Sequence, residues 1–188
     1  MYVKGIKSDL KAINAEFQKE CKSAVDRAHH ISLSRLQPGQ TAPAPGFLTP
    51  EIEAELRASV AKLSDRAQGI LEDALKEVRA AKAEAPSTEA VNSVTMLRGN
   101  KHVSEEDIIA LADVYGDNYL THKALHNIAL EHGYHILSTH LADTLEKGLS
   151  NLSDIYRRDL TAYEAQAMAN SAWRKAAMDD NVDMFLPE

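Results

Sequence analysis

The chain has 188 residues with a formal net charge of −7, and its hydrophobic residues reach 44% although aromatic residues make up 5%. That length suffices for a hydrophobic core without disulfides or metal ions. Residues 1–86 hold 13 Lys and Arg against 12 Asp and Glu, and residues 87–188 hold 8 against 16. The acidic second half disfavours nucleic acid as the main partner, because each phosphate contact needs a cation.

The single cysteine, Cys21, falls on an apolar helical position, so we expect a buried, unreactive thiol in a reducing compartment. The first residues, MYVKGIKSDLK, lack the apolar region of a signal peptide. No apolar run approaches the ~20 residues that a membrane helix needs. These features predict a cytoplasmic protein with no membrane segment and no cofactor.

Apolar residues at a helical period predict a first helix with Ser8 as its N-cap and an end near Leu36. Residues 37–50 follow, with four prolines and two glycines, and they predict an extended connector that is either a hinge or a docked segment. Phe47 and Leu48 are the apolar residues of this connector. We expect them to dock on a neighbouring helix.

The second helix is predicted from about Pro50 to Glu84, because Thr49 is a capping residue and proline favours the first helical position. Its apolar residues recur three and four apart, which is typical of a helix-pairing seam. The seam residues are Leu56, Val60, Leu63, Ala67, Ile70, Ala74, Val78 and Ala81. An antiparallel hairpin with the first helix is the favoured arrangement, and an intermolecular coiled coil is the alternative.

Three short helices are predicted between residues 87 and 133, each with its own start and stop residues. The first runs from about Thr88 to Arg98 after the cap Ser87 and ends at a left-handed Gly99–Asn100 stop, with Val91, Val94 and Leu97 buried. The second follows Ser104 and buries Ile108, Leu111, Ala112 and Tyr115. The third runs from about Asn118 to His132, with Gly133 as its C-terminal cap.

The helical period then continues from Tyr134 to about Met178, which predicts one helix of roughly 65 Å. A bend or break near Gly148 is the alternative. The last segment, DDNVDMFLPE, shows no periodicity and ends in the apolar residues Met184, Phe185 and Leu186. This acidic tail is predicted either to dock on its own fold or to bind a partner.

Five of the eight histidines lie between residues 117 and 140. His122 and His126 share a helix face, as a metal site requires, but Lys123 stands where an HExxH motif has its glutamate. His132 and His135 are candidates for a third ligand. We favour histidines that flank or cap helix ends, so no metal site is predicted, and a metal site at His122, His126, His132 and His135 is the alternative.

Together these patterns predict an all-α fold. We expect an elongated helical bundle or coiled-coil hairpin that also holds a compact cluster of short helices. The predicted domains are residues 1–86, the long hairpin, and residues 87–188, the short helices followed by the long C-terminal helix and tail.

The segment SEEDIIALADVYGDNYLTHKALHNIALEHGY, with its flanking long helices and proline-rich breaks, resembles small helical proteins from the structural gene clusters of tailed bacteriophages and prophages. Those proteins serve capsid assembly as scaffolding or accessory components. The resemblance implies a role in virion assembly and a location in the virion, and no residue's role is carried over. Many scaffolding proteins end in a basic helix that binds the capsid, whereas this chain ends in an acidic segment.

We therefore expect a non-enzymatic structural or assembly protein that acts through homo-oligomer contacts, contacts with other structural proteins, or both. The physical reason is that such long amphipathic helices carry more apolar seam than a small cluster can cover. The predicted partner-binding residues are Leu56, Val60, Leu63, Ile70, Trp173, Met184, Phe185 and Leu186. The alternatives are a metal-binding enzyme or sensor that uses His122 and His126, and a regulatory adaptor that presents the acidic tail.

Overall fold

The computed structural model describes residues 3–37, 48–161 and 171–186, and within these ranges it contains seven helices and no strand. The helices are α1 (Val3–Ser34), α2 (Pro50–Ala83), α3 (Thr88–Gly99), α4 (Glu105–Tyr115), α5 (Tyr119–Glu131), α6 (Leu141–Thr161) and α7 (Ser171–Phe185). The predicted all-α fold class is confirmed.

The chain groups into two compact units, and the boundaries between them fall inside α2 and α6. Unit 1 comprises Met1–Ala74 with Gly148–Glu188, and unit 2 comprises Leu75–Lys147. This grouping differs from the predicted domain boundary at residue 86. The reason is that the end of the chain packs on α1, a long-range pairing that local sequence patterns do not encode.

Unit 1 is a bundle of four helices, in which α1 runs antiparallel to α2 and to α7. Ion pairs fix the α1–α2 register: Arg27 Nη1 lies 2.7 Å from Glu55 Oε2, and Arg66 Nη1 lies 2.6 Å from Glu16 Oε2. The α1–α7 register is set by Lys11, whose Nζ lies 2.7 Å from Asp183 Oδ2. The predicted antiparallel packing of the first two helices is therefore present, within a larger bundle.

The fourth helix of unit 1 is the part of α6 from Gly148 onward, and hydrogen bonds join it to two neighbours. Gln68 Nε2 of α2 donates to the Ser153 carbonyl at 2.9 Å, and the Ser153 hydroxyl donates to Gln68 Oε1 at 2.6 Å. Tyr156 of α6 donates from its hydroxyl to Asn14 Oδ1 of α1 at 2.8 Å. Asn14 is fully buried, and its Nδ2 donates to Asp179 Oδ1 of α7 at 2.7 Å.

The predicted seam of α2 forms the core side of that helix, with two corrections. Leu56, Val60, Leu63, Ala67, Ala74 and Val78 are buried as expected. Leu71, which is fully buried, takes the core position assigned to Ile70, which is half-buried, and Ala81 is exposed. The cause is that the helical period of 3.6 residues drifts away from a strict seven-residue repeat over so long a helix.

Several predicted helix boundaries change in the structure. The first helix begins at Val3 and contains Ser8 in its interior, where the exposed side chain of Ser8 needs no capping role. Thr49 caps α2 as predicted, since its Oγ1 accepts from the Ile52 amide at 3.4 Å. Leu48 is buried, as expected for a docked residue. The prediction for Phe47 falls in residues 38–47, outside the described ranges.

The predicted long helix from Tyr134 to Met178 is wrong at its start. The chain from Tyr134 to His140 is not helical, and α6 begins at Leu141. Tyr134, Ile136 and Leu137 pack on the core of unit 2 from this non-helical segment, which accounts for its apolar residues. The helix passes through Gly148 without a break, and the continuity expected beyond Thr161 falls in residues 162–170, outside the described part of the chain.

Unit 2 packs α3, α4 and α5 around one cluster of buried apolar residues, which are Leu97, Val103, Ile108, Leu125, Ile128 and Ala129. Ser87 caps α3 as predicted, and Ser104 forms a reciprocal capping box with Asp107. Ala90 is buried in α3, whereas Val91, which was expected inside, is 47% exposed.

Two chain reversals end helices of unit 2 in different ways. The stop after α3 was predicted to be left-handed, but Asn100 has a φ of −80° and an extended ψ of 131°. Gly133 does adopt the predicted left-handed conformation, with a φ of 79°. There the amides of Gly133 and Tyr134 donate back to the carbonyls of Leu130 at 3.0 Å and Ala129 at 2.8 Å. These two backbone hydrogen bonds end α5 and direct the chain toward α6.

The C-terminal segment forms part of α7, although its sequence shows no helical period. Val182 and Leu186 are fully buried within unit 1, so this end of the chain docks on its own unit, one of the two predicted outcomes. Among the described residues, no helix is long and apolar enough to cross a membrane.

Candidate functional site

Three histidines of unit 2 come together beside the start of α6, and we call them the histidine cluster: His122, His126 and His140. His122 and His126 lie one turn apart on α5, with their rings nearly parallel and their centroids 6.4 Å apart. The ring of His140 stands edge-on to that of His122 at 5.1 Å. The predicted pairing of His122 with His126 on one helix face is therefore present, and His140 joins it.

His140 has a structural role, because its side chain caps α6. Its Nδ1 accepts a hydrogen bond from the Ala142 amide at 3.1 Å. An imidazole nitrogen that accepts carries no proton, so the neutral ring holds its proton on Nε2. Nε2 lies 3.3 Å from the Asp117 carbonyl oxygen, which accepts that proton's hydrogen bond. This arrangement agrees with the expectation that histidines in this region cap helix ends.

A charged cluster of unit 2 borders the histidines. Lys82 Nζ lies 2.6 Å from Asp143 Oδ1 and 2.7 Å from Glu146 Oε2, and it also stands 4.6 Å from the centroid of the Tyr119 ring. The Tyr119 hydroxyl donates to Asp143 Oδ1 at 3.1 Å. Hydrogen bonds from Lys82 lower the pKa of both carboxyl groups, and the same bonds raise the pKa of Lys82.

Burial lowers the pKa of His122, and the imidazoles of His140 and His126 lower it further, because a second positive charge nearby is unfavourable. The neutral ring of His122 is therefore favoured more than in a solvated histidine. The negative charge of a ligand at this cluster would favour the protonated ring of His122 and so act against the lowered pKa.

The alternative metal site is not assembled as the sequence suggested. His132 and His135 are exposed, and His132 stacks on Tyr134 with centroids 6.3 Å apart. Throughout the described ranges, no group of three or more His, Cys, Asp or Glu side chains is arranged to hold a metal ion. The histidine that does meet His122 is His140, which sequence spacing had separated from it. The sequence feature that could have indicated a capping role for His140 is its position directly before the apolar start of α6.

The cluster opens onto a cavity of about 150 Å³ between α5 and the segment that leads into α6. We call it the donor cavity, because most of its lining side chains carry hydrogen-bond donors. Those donors are His122, Lys123, His126, Asn127, Ser138 and Thr139. Tyr119, His140 and Asp143 complete the described lining.

The predicted partner-binding residues of α2 lie inside unit 1. Leu56, Val60 and Leu63 are at most 5% exposed, so they pair helices within the chain and present no surface to a partner. Leu186 is fully buried and Phe185 is half-buried, whereas Met184 is 72% exposed. Trp173 lies on α7, and its side chain is outside the described part of the structure.

A second surface of unit 2, which we call the α3–α4 groove, was not predicted. It is lined by Ser93, Met96, Leu97, Asn100, Asp107, Ala110 and Leu111 and encloses about 420 Å³. Met96 at its edge is 78% exposed. Val114, one helical turn beyond Ala110 and therefore on the same side of α4, is 68% exposed.

The sequence holds a signal for this groove in retrospect, because Met96 and Val114 lie off the buried faces of their helices.

Comparison with protein-family models, with curated proteins and with solved structures finds no match for this chain. Any function therefore has to be argued from the chain's own residues.

Proposed function

We propose that this protein is a non-enzymatic helical assembly protein, which acts by binding a helix of another protein in the α3–α4 groove. The exposure of Met96 at 78% and of Val114 at 68% beside an apolar groove is the observation that carries the proposal. Exposed apolar side chains beside an apolar groove are typical of protein-binding sites. The resemblance to phage structural proteins supports virion assembly as the setting.

The groove lies against the core of unit 2 and shares Leu97 with it. Leu97 and Ile108 point into that core with exposures of 8% and 0%, and they hold α3 and α4 in place. Met96 and Val114 are on other faces of the same helices, so their exposure is not the result of a poorly packed core. A rigid pair of helices with apolar side chains along its outer edge is suited to bind a helix, because such a groove receives residues spaced three and four apart.

The charge around the groove supports a basic partner. Helix α4 has the sequence EEDIIALADVY, with four acidic residues and no basic residue. Asp107 is the one charged side chain among the described residues that line the groove. An amphipathic helix that carries Lys or Arg beside its apolar face would complement this acidic border, and charge complementarity of this kind directs association. A second copy of the same acidic face would be repelled.

The test uses a labelled peptide that forms a basic amphipathic helix, with leucines three and four apart and lysines at the flanks. We expect it to bind the full chain in fluorescence anisotropy, with an affinity that falls as salt is added. A peptide with glutamates in place of the lysines should not bind. Failure of the lysine peptide to bind would overturn the proposal.

Matched variants locate the contact. Met96→Ser and Val114→Ser should each weaken binding by roughly tenfold, because each removes an apolar group of about 1–2 kcal/mol. Met184→Ser is the control, because Met184 is also an exposed methionine, at 72%, but lies on α7. Loss of binding in the Met184 variant alone would assign the contact to the predicted C-terminal surface instead.

Mass measured by light scattering across a concentration series separates a partner from self-association. The account expects the isolated chain to keep its monomer mass of 20.7 kDa. A larger mass that returns to the monomer value in Met96→Ser would make a second copy the occupant of the groove.

A further inference from the structure

The donor cavity of unit 2 is unusual in the chemistry of its lining. Six of its lining residues carry hydrogen-bond donors besides those of Tyr119 and His140, and Lys123 among the six carries a positive charge. Asp143 is the one carboxylate among its described lining residues, and Lys82 and Tyr119 already engage that carboxylate at 2.6 and 3.1 Å. The cavity therefore presents donors and positive charge, with its own negative charge already compensated.

The three histidines differ in the hydrogen bonds that their ring nitrogens form. His140 uses both ring nitrogens, on the Ala142 amide and the Asp117 carbonyl. His122 and His126 contact neighbouring rings, and no described residue forms a hydrogen bond with their ring nitrogens. Those nitrogens belong to half-buried side chains that line the cavity, so a ligand in the cavity can reach them.

We propose that the donor cavity binds a phosphate group, either as inorganic phosphate or as the phosphate of a small monoester. Phosphate offers several strong acceptor oxygens and up to two negative charges, which match the ammonium of Lys123 and the imidazoles of His122 and His126. The amide of Asn127 on α5 and the hydroxyls of Ser138 and Thr139 in the segment before α6 supply further donors.

The volume of the cavity supports a small ligand. At about 150 Å³ it is smaller than the roughly 300–1,000 Å³ of sites that enclose drug-sized molecules. A phosphate group has five heavy atoms and fits such a space, whereas a nucleotide would extend out of it. The phosphate of a larger molecule would bind here with the rest of that molecule in solvent.

Protonation of the histidines should control this binding. The charged and titratable groups around His122 are Tyr119, Lys123 and His126 on α5, His140 and Asp143 at the start of α6, and Lys82 on α2. Lys82 pairs with Asp143 and also with Glu146, and Lys123 adds a positive charge that does not change near neutral pH, so the histidines are the groups of the cavity whose charge can change there. An anion favours the protonated imidazoles, so the affinity for one ionic form of phosphate should rise as the pH falls through the range in which histidine titrates.

Isothermal titration calorimetry of the full chain with inorganic phosphate tests the proposal. Ionic strength is held constant with chloride, near pH 6 and near pH 8. We expect saturable binding of one phosphate. With the affinity expressed per concentration of the phosphate dianion at each pH, binding should be roughly tenfold tighter near pH 6, which corresponds to one linked pKa shift of about one unit in the protein. A parallel titration with methyl phosphate distinguishes the two possible ligands. Tighter binding of the monoester indicates a phosphorylated molecule. Tighter binding of inorganic phosphate indicates the free anion.

Variants give a second readout. Lys123→Gln and His126→Asn should each weaken phosphate binding at least several-fold, and His126→Asn should also reduce its pH dependence. Lys147→Gln is the matched control, because Lys147 is exposed in unit 2 and does not line the cavity. No saturable binding of either phosphate, or equal losses in Lys147→Gln and Lys123→Gln, would overturn the proposal. So would stoichiometric zinc binding without a phosphate response, which would make the cluster a metal site. None of these outcomes depends on peptide binding in the α3–α4 groove.

Discussion

Gly148 of α6 lies directly against the backbone of Phe185 of α7. A Cβ built on Gly148 would stand 2.1 Å from the Phe185 carbonyl oxygen, far inside the van der Waals distance. The absence of a side chain at Gly148 therefore sets how closely these two helices approach. From the sequence, a bend or break of the long helix near Gly148 was the alternative. In the structure, Gly148 lies within a continuous helix at a close contact with α7.

We predict that Gly148→Ala destabilises unit 1 by about 1–3 kcal/mol, because the Phe185 backbone must move to admit the methyl group. The better helix propensity of alanine, worth about 1 kcal/mol, offsets part of that cost. Urea unfolding followed by circular dichroism measures the change in the free energy of unfolding.

Gly69→Ala is the matched control, because Gly69 lies within α2 and a Cβ there would meet nothing within 4 Å. This variant should gain about 0.5–1 kcal/mol, since alanine loses less backbone entropy than glycine on folding. Equal stabilities of the two alanine variants would contradict the close approach at Phe185.

The buried polar contact between Tyr156 and Asn14 gives a second prediction. Tyr156→Phe leaves Oδ1 of Asn14 without its 2.8 Å donor in a fully buried site. An unsatisfied buried acceptor costs about 1–3 kcal/mol, so urea unfolding should show a loss of that size.

A double-mutant cycle separates this bond from the packing of the ring. Asn14→Leu combined with Tyr156→Phe removes both partners, so the double variant should lose less stability than the two single losses together. Strict additivity of the single losses would show that the two side chains do not stabilise each other.

Lys82 gives a prediction about pH. Lys82→Met should reduce the free energy of unfolding by about 1 kcal/mol at neutral pH, a modest value because Asp143 is 40% exposed and solvent screens the pair. The folded-state pKa values of Asp143 and Glu146 are lowered, so their stabilisation is present above the ordinary carboxyl pKa of about 4 and is lost as the pH falls through the lower folded-state values.

The difference in stability between the wild type and Lys82→Met should therefore persist at pH 5 and shrink below about pH 4. Chemical unfolding at several pH values provides the measurement. Arg27→Ala is a useful comparison, because Arg27 and Glu55 form a more exposed pair, and a smaller loss is expected. A difference for Lys82→Met that stayed constant down to pH 2 would rule out the carboxylate contacts as its cause.

Cys21 reports on the opening of unit 1. It is 1% exposed, and burial raises the pKa of its thiol to about 11. Near pH 8 the folded protein should react with a disulfide reagent at least about 100-fold more slowly than the denatured chain, because both access and thiolate are lacking. Absorbance of the released thiol follows the reaction, and similar rates in the two states would contradict the buried position.

Local signals predicted much of the fold. Thr49, Ser87 and Ser104 act as caps, and Gly133 ends α5, because capping depends on residues within a few positions of the helix end. The helical character of α1 and α2 followed from their apolar period. Ile70 was predicted in the core of α2, but Leu71 is the residue buried there. A repeat read from the sequence cannot show the exact rotation of a long helix.

The remaining features depend on contacts between distant residues. In the sequence, Asn14 is an ordinary polar residue of α1. The structure shows that its side chain forms hydrogen bonds with Tyr156 and Asp179. His140 meets His122 because the chain reverses at Gly133 and the following segment is not helical, although it had been predicted as helix. Met96 and Val114 lie outside the apolar faces predicted for their helices, and the structure is needed to show that a groove lies between α3 and α4.

Hydrogen–deuterium exchange of the full chain, with and without the lysine-flanked helical peptide, tests the central claim most directly. The account predicts that the peptide slows exchange of amides in α3 and α4, and that Met96→Ser removes this protection. Protection confined to α1, α2 or α7, or no protection at peptide concentrations that saturate binding, would contradict a partner-binding role for the α3–α4 groove.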